Sequence, residues 1–465
     1  MPPTVIYKLY NKLPVSLQNL SISAFGYLWH RRRFGGIYKN EYKGFKEREA
    51  FSTDQWRVYQ TKQLRKILIH AYLNVPYYQQ VFSKAGFTES SFDTFELEDI
   101  GKLPLLEKAA LREFGSSTLL AKEQEAGGNF YASSGSTGTP TSILYSLKMH
   151  QRLSALYEAR VRNWAGVTCL DSRGMIGGRR VVSTGMASGP FYRYNMVEKQ
   201  VYFSAYHISP STVKNYLDGI LKYNLKYMVG YATSNYILAR LMNEAGLKAP
   251  KLKAVLTSSE KLTPEMRTML STVYQCKVYD AWSGVEWCGL ISENEFGQLM
   301  ISPDSAYLEV LKPDGTPAKP GEAGELVCTG FLNYDQPLIR YKIGDVIKLS
   351  ADQQTKCGRN FVIVDEIIGR SEDIISGKDG RQMVRFHGIF INLPNVLKGQ
   401  VVQEAIDRFT INVATKGLTE NEKMLIRQRM ESQLGEIDLT INELEDIPVG
   451  KNGKFKAVIS NLKAN

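Results

Sequence analysis

Nine consecutive small, hydroxylated or turn-forming residues, Ser133-Ser134-Gly135-Ser136-Thr137-Gly138-Thr139-Pro140-Thr141, form the stretch of this chain most suited to chemistry. Such residues cannot fill a core, but they can wrap a phosphate. Glycine and proline let the backbone turn its N–H groups inward as an anion nest, and the hydroxyls add donors for the β- and γ-phosphate oxygens of a nucleotide. The stretch is neither of the two commoner phosphate loops, since the chain holds no Gly-x4-Gly-Lys-Ser/Thr and no Gly-x-Gly-x-x-Gly opening a helix. Taken alone it also reads as a flexible Ser/Gly linker.

A phosphate loop must be held by regular elements, and the hydropathy pattern supplies them. Residues 1–125 read mostly as helices, for example Gln55–Tyr72, with Asn74-Val75-Pro76 as a stop. After the loop, short β-rich runs alternate with helices. Lys226–Tyr231 precedes a helix over Ser234–Ala245; Leu252–Thr257 precedes a helix opened by Thr263-Pro264-Glu265, an N-cap followed by an N1 proline; Lys277–Ala281 is the next strand. From Met300 to Val364 the pattern is largely β, with turns at Pro313-Asp314-Gly315 and Pro320-Gly321. Strand Gln403–Thr415, helix Glu420–Leu434 and strand Ile437–Leu444 then predict a compact α+β unit.

The 465 residues, 43% of them hydrophobic, are enough for roughly three structural units of ~150 residues. No apolar run reaches the 18 residues of a membrane span, and no export signal is read at the amino terminus. Five scattered cysteines suit a reducing cytoplasm. Much of the formal charge of +11 sits between Lys8 and Arg48, where nine Lys/Arg face two Glu. No nucleic-acid recognition signature accompanies it, so no nucleic acid is predicted as partner. With Arg31-Arg32-Arg33 beside Leu17, Leu20, Ile22, Phe25, Tyr27, Leu28 and Trp29, the segment can lie on an anionic membrane surface or pack as a helix on its own protein.

Further features follow the loop in order: Trp282-Ser283-Gly284-Val285-Glu286, Pro337-Leu338-Ile339-Arg340-Tyr341-Lys342-Ile343-Gly344-Asp345, Gly369-Arg370-Ser371-Glu372-Asp373 and Gly453-Lys454-Phe455-Lys456-Ala457-Val458. With Asn74-Val75-Pro76-Tyr77-Tyr78 and Leu103-Pro104-Leu105-Leu106-Glu107-Lys108, this set resembles the adenylate-forming superfamily, in the branch of phenylacetate-CoA ligases and CapK-type capsular polysaccharide proteins. The resemblance implies an α/β fold. A large domain of mixed sheets and helices over 1–371 would bind nucleotide and acyl group, and a small α+β lid over 372–465 would move about a hinge at Glu372 and carry the catalytic Lys454.

It also implies roles for the site residues. Ser133, Ser134, Gly135, Ser136, Thr137, Gly138 and Thr139 would bind the β/γ-phosphates of ATP; Glu286 would hold Mg²⁺; Asp345 would clamp the ribose hydroxyls, with a second contact from Arg370. Lys454 would bridge the substrate carboxylate and the α-phosphate as negative charge builds up. The plain alternatives are a surface glutamate at 286 and a solvated lysine at 454, while Arg340 reads equally as a strand-end salt-bridge residue. Trp282 replaces the tyrosine of the family's usual Tyr-Gly-x-x-Glu turn and, with Ser283, would flank the adenine. No zinc is predicted, because Cys288 is followed by Ser292-Glu293-Asn294-Glu295. Tyr231 and Trp287 are candidates for the acyl pocket; Tyr192, Tyr194, Tyr202, Phe203 and Tyr206 can line a site or fill a core.

The expected activity is ATP-dependent adenylation of a small carboxylic acid, releasing pyrophosphate. Acyl transfer to an acceptor amine, hydroxyl or thiol follows, with CoA as one candidate, in capsular polysaccharide or related biosynthesis. The alternatives are a phenylacetate-type aryl-CoA ligase and a non-catalytic nucleotide-binding scaffold at the membrane surface.

Overall fold

The computed structural model describes residues 9–132, 141–179, 181–183, 186, 188–370, 375–378, 382–383, 387–390, 393–448 and 455–462. The N-terminal region is mostly helical: α1 (Val15–Phe34), α2 (Tyr38–Arg48), α3 (Thr53–Asn74), α4 (Pro76–Lys84) and α5 (Lys108–Phe114). Ser52 starts α3 through a capping box, its hydroxyl accepting from the Gln55 N–H while the Gln55 side chain accepts from the Ser52 N–H. Asn74-Val75-Pro76, expected to be a stop, ends one helix and opens another. Val75 is held extended ahead of the proline, and Pro76 takes the first position of α4, where a missing N–H leaves nothing unpaired.

Strands β1 (Asn129–Ala132) and β2 (Ser142–Tyr145) pair antiparallel on either side of the Ser/Gly stretch, and α6 (Leu147–Tyr157) follows. The chain then alternates: β3 (Arg173–Gly177), β4 (Tyr192–Asn195), β5 (Gln200–Ser204), α7 (Val213–Lys222), β6 (Tyr227–Tyr231), α8 (Ala232–Glu244), β7 (Ala254–Ser258), α9 (Pro264–Tyr274) and β8 (Lys277–Trp282). The Thr263-Pro264 signal is realised, with the Thr263 hydroxyl accepting from the Met266 N–H.

β5, β3, β6, β7 and β8 lie side by side and parallel, with β4 antiparallel on the edge beside β5. Beyond β8 the sheet continues antiparallel through β9 (Ile291–Glu293), β10 (Leu299–Ile301), β14 (Ile363–Arg370), β13 (Tyr341–Leu349), β12 (Ala323–Gly330) and β11 (Ala306–Leu311). One core packs α7, α8 and α9 on the parallel strands, and another joins α3 to α6 to the antiparallel ones.

The C-terminal unit holds β15 (Ile375–Ser376), β16 (Gln382–Met383), α10 (His387–Phe390), β17 (Lys398–Gln403), β18 (Arg408–Ala414), α11 (Glu420–Leu434), β19 (Asp438–Leu444) and β20 (Val458–Ser460). Its sheet runs β19-β18-β17-β20, over a core of its own that includes Val401, Phe409, Ile411, Ile426 and Met430. The single strand expected over Gln403–Thr415 is the end of one strand and the whole of the next. Residues 404–407 reverse the chain, with the Arg408 N–H donating to Ala405 O (3.3 Å), although no glycine or proline announces the turn.

The basic amino-terminal segment turns part of its charge inward. Arg33 pairs with buried Glu198, and Arg32 donates to His150 Nδ1 (2.8 Å) and to the carbonyls of Gly127 (2.8 Å) and Tyr145 (2.9 Å). Burial, with Arg32 and Arg33 beside it, pushes the His150 imidazole down to about 3, so it stays neutral and accepts. Trp29, Tyr131 and Tyr145 surround that ring, which connects α1 to the root of the phosphate loop.

Candidate functional site

In a sheet wound this way ligands bind at the carboxyl ends of the parallel strands. β8 ends there at Trp282 and passes into the turn Ser283-Gly284-Val285-Glu286-Trp287. Ser283 Oγ donates to Gly289 O (3.0 Å) and closes that turn. The Glu286 carboxylate is 4% exposed, and its Oε1 accepts from Thr141 Oγ1 (3.1 Å) and Tyr341 OH (3.5 Å). Thr141 is the last residue of the Ser/Gly stretch, so the acidic turn and the hydroxyl loop meet, although they lie far apart in sequence. Tyr145, on β2, adds a hydrogen bond to Val285 O. Gly284 is required for this geometry, since a Cβ there would collide with Glu286 Oε2.

Asp345, 6% exposed, projects from β13 opposite Arg370 on β14. Its Oδ2 accepts from Trp282 Nε1 at 2.8 Å. The indole that replaces the expected phenol thus holds the Asp345 carboxylate through its N–H. Of Arg370 only the backbone is described. Ser133, Ser134, Gly135, Ser136, Thr137, Gly138, Thr139, Glu372 and Lys454 lie outside the described residues. Phe455, the residue after Lys454, donates its N–H to Glu260 Oε1 (3.2 Å), whose Oε2 accepts from the Thr233 N–H (2.9 Å) at the start of α8. Tyr231, half-buried, is the N-cap residue of α8. Trp287 is half-buried, with a φ of +45°.

Arg340 is a structural residue. Its guanidinium forks onto Glu309 (3.0 and 2.8 Å) and donates to the carbonyls of Gly101 (3.1 Å) and Leu103 (2.5 Å), fixing the loop before α5 to β13. Much of the aromatic cluster is core: Tyr192 and Phe203 are buried beside Tyr216, and Tyr194 stacks on Tyr223 with centroids 4.0 Å apart. The roles of Tyr145 and Glu260 were not legible in sequence. Glu260 had a signal, the polar run Thr257-Ser258-Ser259-Glu260 at the end of a parallel strand. Tyr145 had none.

Behind the site, Arg267 forks onto Glu293 (2.9 and 2.8 Å), and Asp280 on β8 accepts from Thr257 Oγ1 (3.1 Å). Burial and the nearby Glu293 carboxylate push the Asp280 carboxyl up to about 7. A carboxyl raised on folding keeps a proton that the unfolded chain has already released. Its contribution is therefore fully present below about pH 4 and is lost as the pH climbs toward 7. Asp280→Asn should accordingly raise the melting temperature by roughly 1–3 °C at pH 8 and leave it nearly unchanged at pH 4. A loss of stability at pH 8 would show that the ionised carboxylate is the favoured form.

The comparisons with known proteins agree with this architecture. Residues 375–461 match the family model of the CapK C-terminal domain. The chain is 23% identical to protein CapK of Staphylococcus aureus over 98% of its own length and 99% of that protein's, and 27% identical to the phenylacetate-coenzyme A ligase of Escherichia coli (strain K12) over 70% and 74%. Among solved structures, 2-hydroxyisobutyryl-CoA ligase in its postadenylation state superposes with a TM-score of 0.71 at 19% identity, covering 89% of this chain and 91% of that one. The same enzyme in its thioesterification state gives 0.55, at the same coverage.

The fold is that of the adenylate-forming ligases. The C-terminal unit matches the CapK C-terminal domain, and the chain as a whole is similar to CapK and to the phenylacetate-CoA ligases.

Proposed function

We propose that this protein activates a carboxylic acid as its acyl-adenylate and then passes the acyl group to an acceptor. The carboxylate attacks the α-phosphorus of ATP, the bond to the β-phosphate oxygen breaks, and pyrophosphate leaves. The observation that carries this reading is the meeting of Thr141, Glu286 and Tyr341, with Trp282, just before the same turn, holding Asp345. Residues 133–141 would cradle the β/γ-phosphates, Asp345 would take the ribose hydroxyls and Trp282 would flank the adenine. Lys454 would neutralise charge between carboxylate and α-phosphate.

Glu286 fits a magnesium ion, since its carboxylate lies beside Thr141 at the end of the hydroxyl stretch and Gly284 sets no Cβ against its Oε2. Among the described residues no group of three or more His, Cys, Asp or Glu could hold a metal. One protein carboxylate completed by phosphate oxygens and water is an arrangement that suits magnesium. When bound, that ion would screen the charge of the phosphates.

CoA is the acceptor favoured by the relatives named above, and a role in capsular or related polysaccharide biosynthesis is the reading favoured by CapK. An aryl acid gains no support from the tyrosine cluster, much of which is core. The decisive experiment is pyrophosphate release from ATP over a panel of aryl, hydroxy, amino and uronic acids, with and without CoA. Release with none of them sinks the ligase reading and leaves the nucleotide-binding scaffold.

The lid over 372–465 would serve both half-reactions by turning about Glu372. Two contacts support a docked lid: Arg240 on α8 donates to the carbonyls of Val396 (2.7 Å) and Pro394 (3.0 Å), and Phe455 binds Glu260. Proline at 372 fixes φ near −65° and removes a donor, which restricts the turning. Glu372→Pro should leave adenylation within about threefold of wild type and lower acyl transfer by about tenfold or more. Equal loss of both steps, or of neither, would count against alternation at this residue.

A further inference from the structure

α1 turns polar residues inward and apolar ones outward. Asn19 Oδ1 accepts from the Tyr194 N–H (2.9 Å), Ser23 Oγ accepts from the Met196 N–H (3.0 Å), and Gln18 accepts from Arg193. Gly26 lies so close to Asn195 that a Cβ would collide with it. The helix is thus bound to β4 through hydrogen bonds. Its outward row is Leu17, Leu20, Ala24, Leu28 and Arg31, spaced by three or four residues and so on one stripe. Leu17, Leu20 and Leu28 are 45%, 57% and 66% exposed, and Tyr27 beside them 51%. Met196 and Val197, in the turn after β4, are also exposed, beside α1. At the end of the stripe opens a groove of about 600 Å³ lined by Leu28, Arg31, Arg32, Phe34 and Leu147.

We propose that α1 docks this protein on an anionic lipid surface. The helix would lie in the plane of the headgroups, with Leu17, Leu20, Tyr27 and Leu28 at the acyl boundary and the exposed Lys12 and Arg31 among the phosphates. Charge selects this occupant over a second copy of the chain. Lys12 and Arg31 are exposed on this face and α1 carries no acidic residue, so an isologous pair meeting through it would set like charges against one another. The helix lies on the surface rather than across it, since no described helix is long and apolar enough to cross a membrane. This inference is independent of the ligase reading.

The test is sedimentation of the full chain with phosphatidylglycerol-rich and with pure phosphatidylcholine vesicles, at low and high salt. Wild type should bind the anionic vesicles at least about tenfold better than the neutral ones, and high salt should remove the difference. Leu20→Glu/Leu28→Glu and Lys12→Glu/Arg31→Glu should each lose that binding while melting as wild type does. Val58→Glu, at a 70%-exposed apolar residue on α3, should keep it. Equal binding by either double variant overturns the proposal, as does failure of wild type to bind. A concentration-dependent dimer abolished by Leu20→Glu/Leu28→Glu would assign the face to a second copy and overturn it too.

Discussion

Lys454→Ala is expected to lower pyrophosphate release by about 100-fold or more while nucleotide affinity changes little. Two anions must approach one another for the α-phosphorus to be attacked, and charge spreads over its oxygens as the bond to pyrophosphate breaks. A cation on a long side chain that engages only then stabilises the transition state without contributing to ground-state binding, so the loss falls on kcat. The neighbouring contact of Phe455 with Glu260 ties the segment after Lys454 to the carboxyl-end side of the sheet. Single-turnover measurement of pyrophosphate separates the outcomes. Unchanged adenylation would make Lys454 a solvated lysine and return the chemistry to the large domain.

Asp345→Ala is expected to act on binding instead. A carboxylate accepting from ribose hydroxyls contributes roughly 1.5–3 kcal/mol, so the ATP KM should rise by about 10- to 150-fold, with a smaller change in kcat. The same substitution strips the Trp282 indole N–H of its acceptor, 2.8 Å away. Calorimetric ATP binding alongside a melting curve distinguishes the two consequences. Intact ATP affinity with a collapsed melting transition would show that Asp345 serves the fold through Trp282.

Much of the fold could be read in the chain before folding, and most of what could not depends on contacts distant in sequence. Thr263-Pro264, Ser52 with Gln55 and the helix Glu420–Leu434 are local: the signal and the hydrogen bond it predicts lie within four residues. The turn at 404–407 is equally local but is built from Glu, Ala, Ile and Asp, which do not mark a reversal. Trp282 with Asp345 and Thr141 with Glu286 are pairs that only the folded chain creates: β8 and β13 are separated by three intervening strands, and Thr141 precedes β2 in a separate two-stranded sheet. Sequence could nominate each member by type and motif, and it could not say that they touch. Arg340 shows the converse: a residue inside a functional motif that spends four hydrogen bonds on Glu309 and two carbonyls.

The attachment of α1 to β4 carries one more consequence. A twelve-strand sheet that ended at a bare β4 would present a row of unpaired N–H groups, and any extended segment, including the same strand of a neighbour, could add to it. Asn19 and Ser23 take up the Tyr194 and Met196 N–H groups, two residues apart on that outer edge. The helix therefore covers the edge at which such an addition would start, and a chain trimmed of its first forty residues would leave that edge bare.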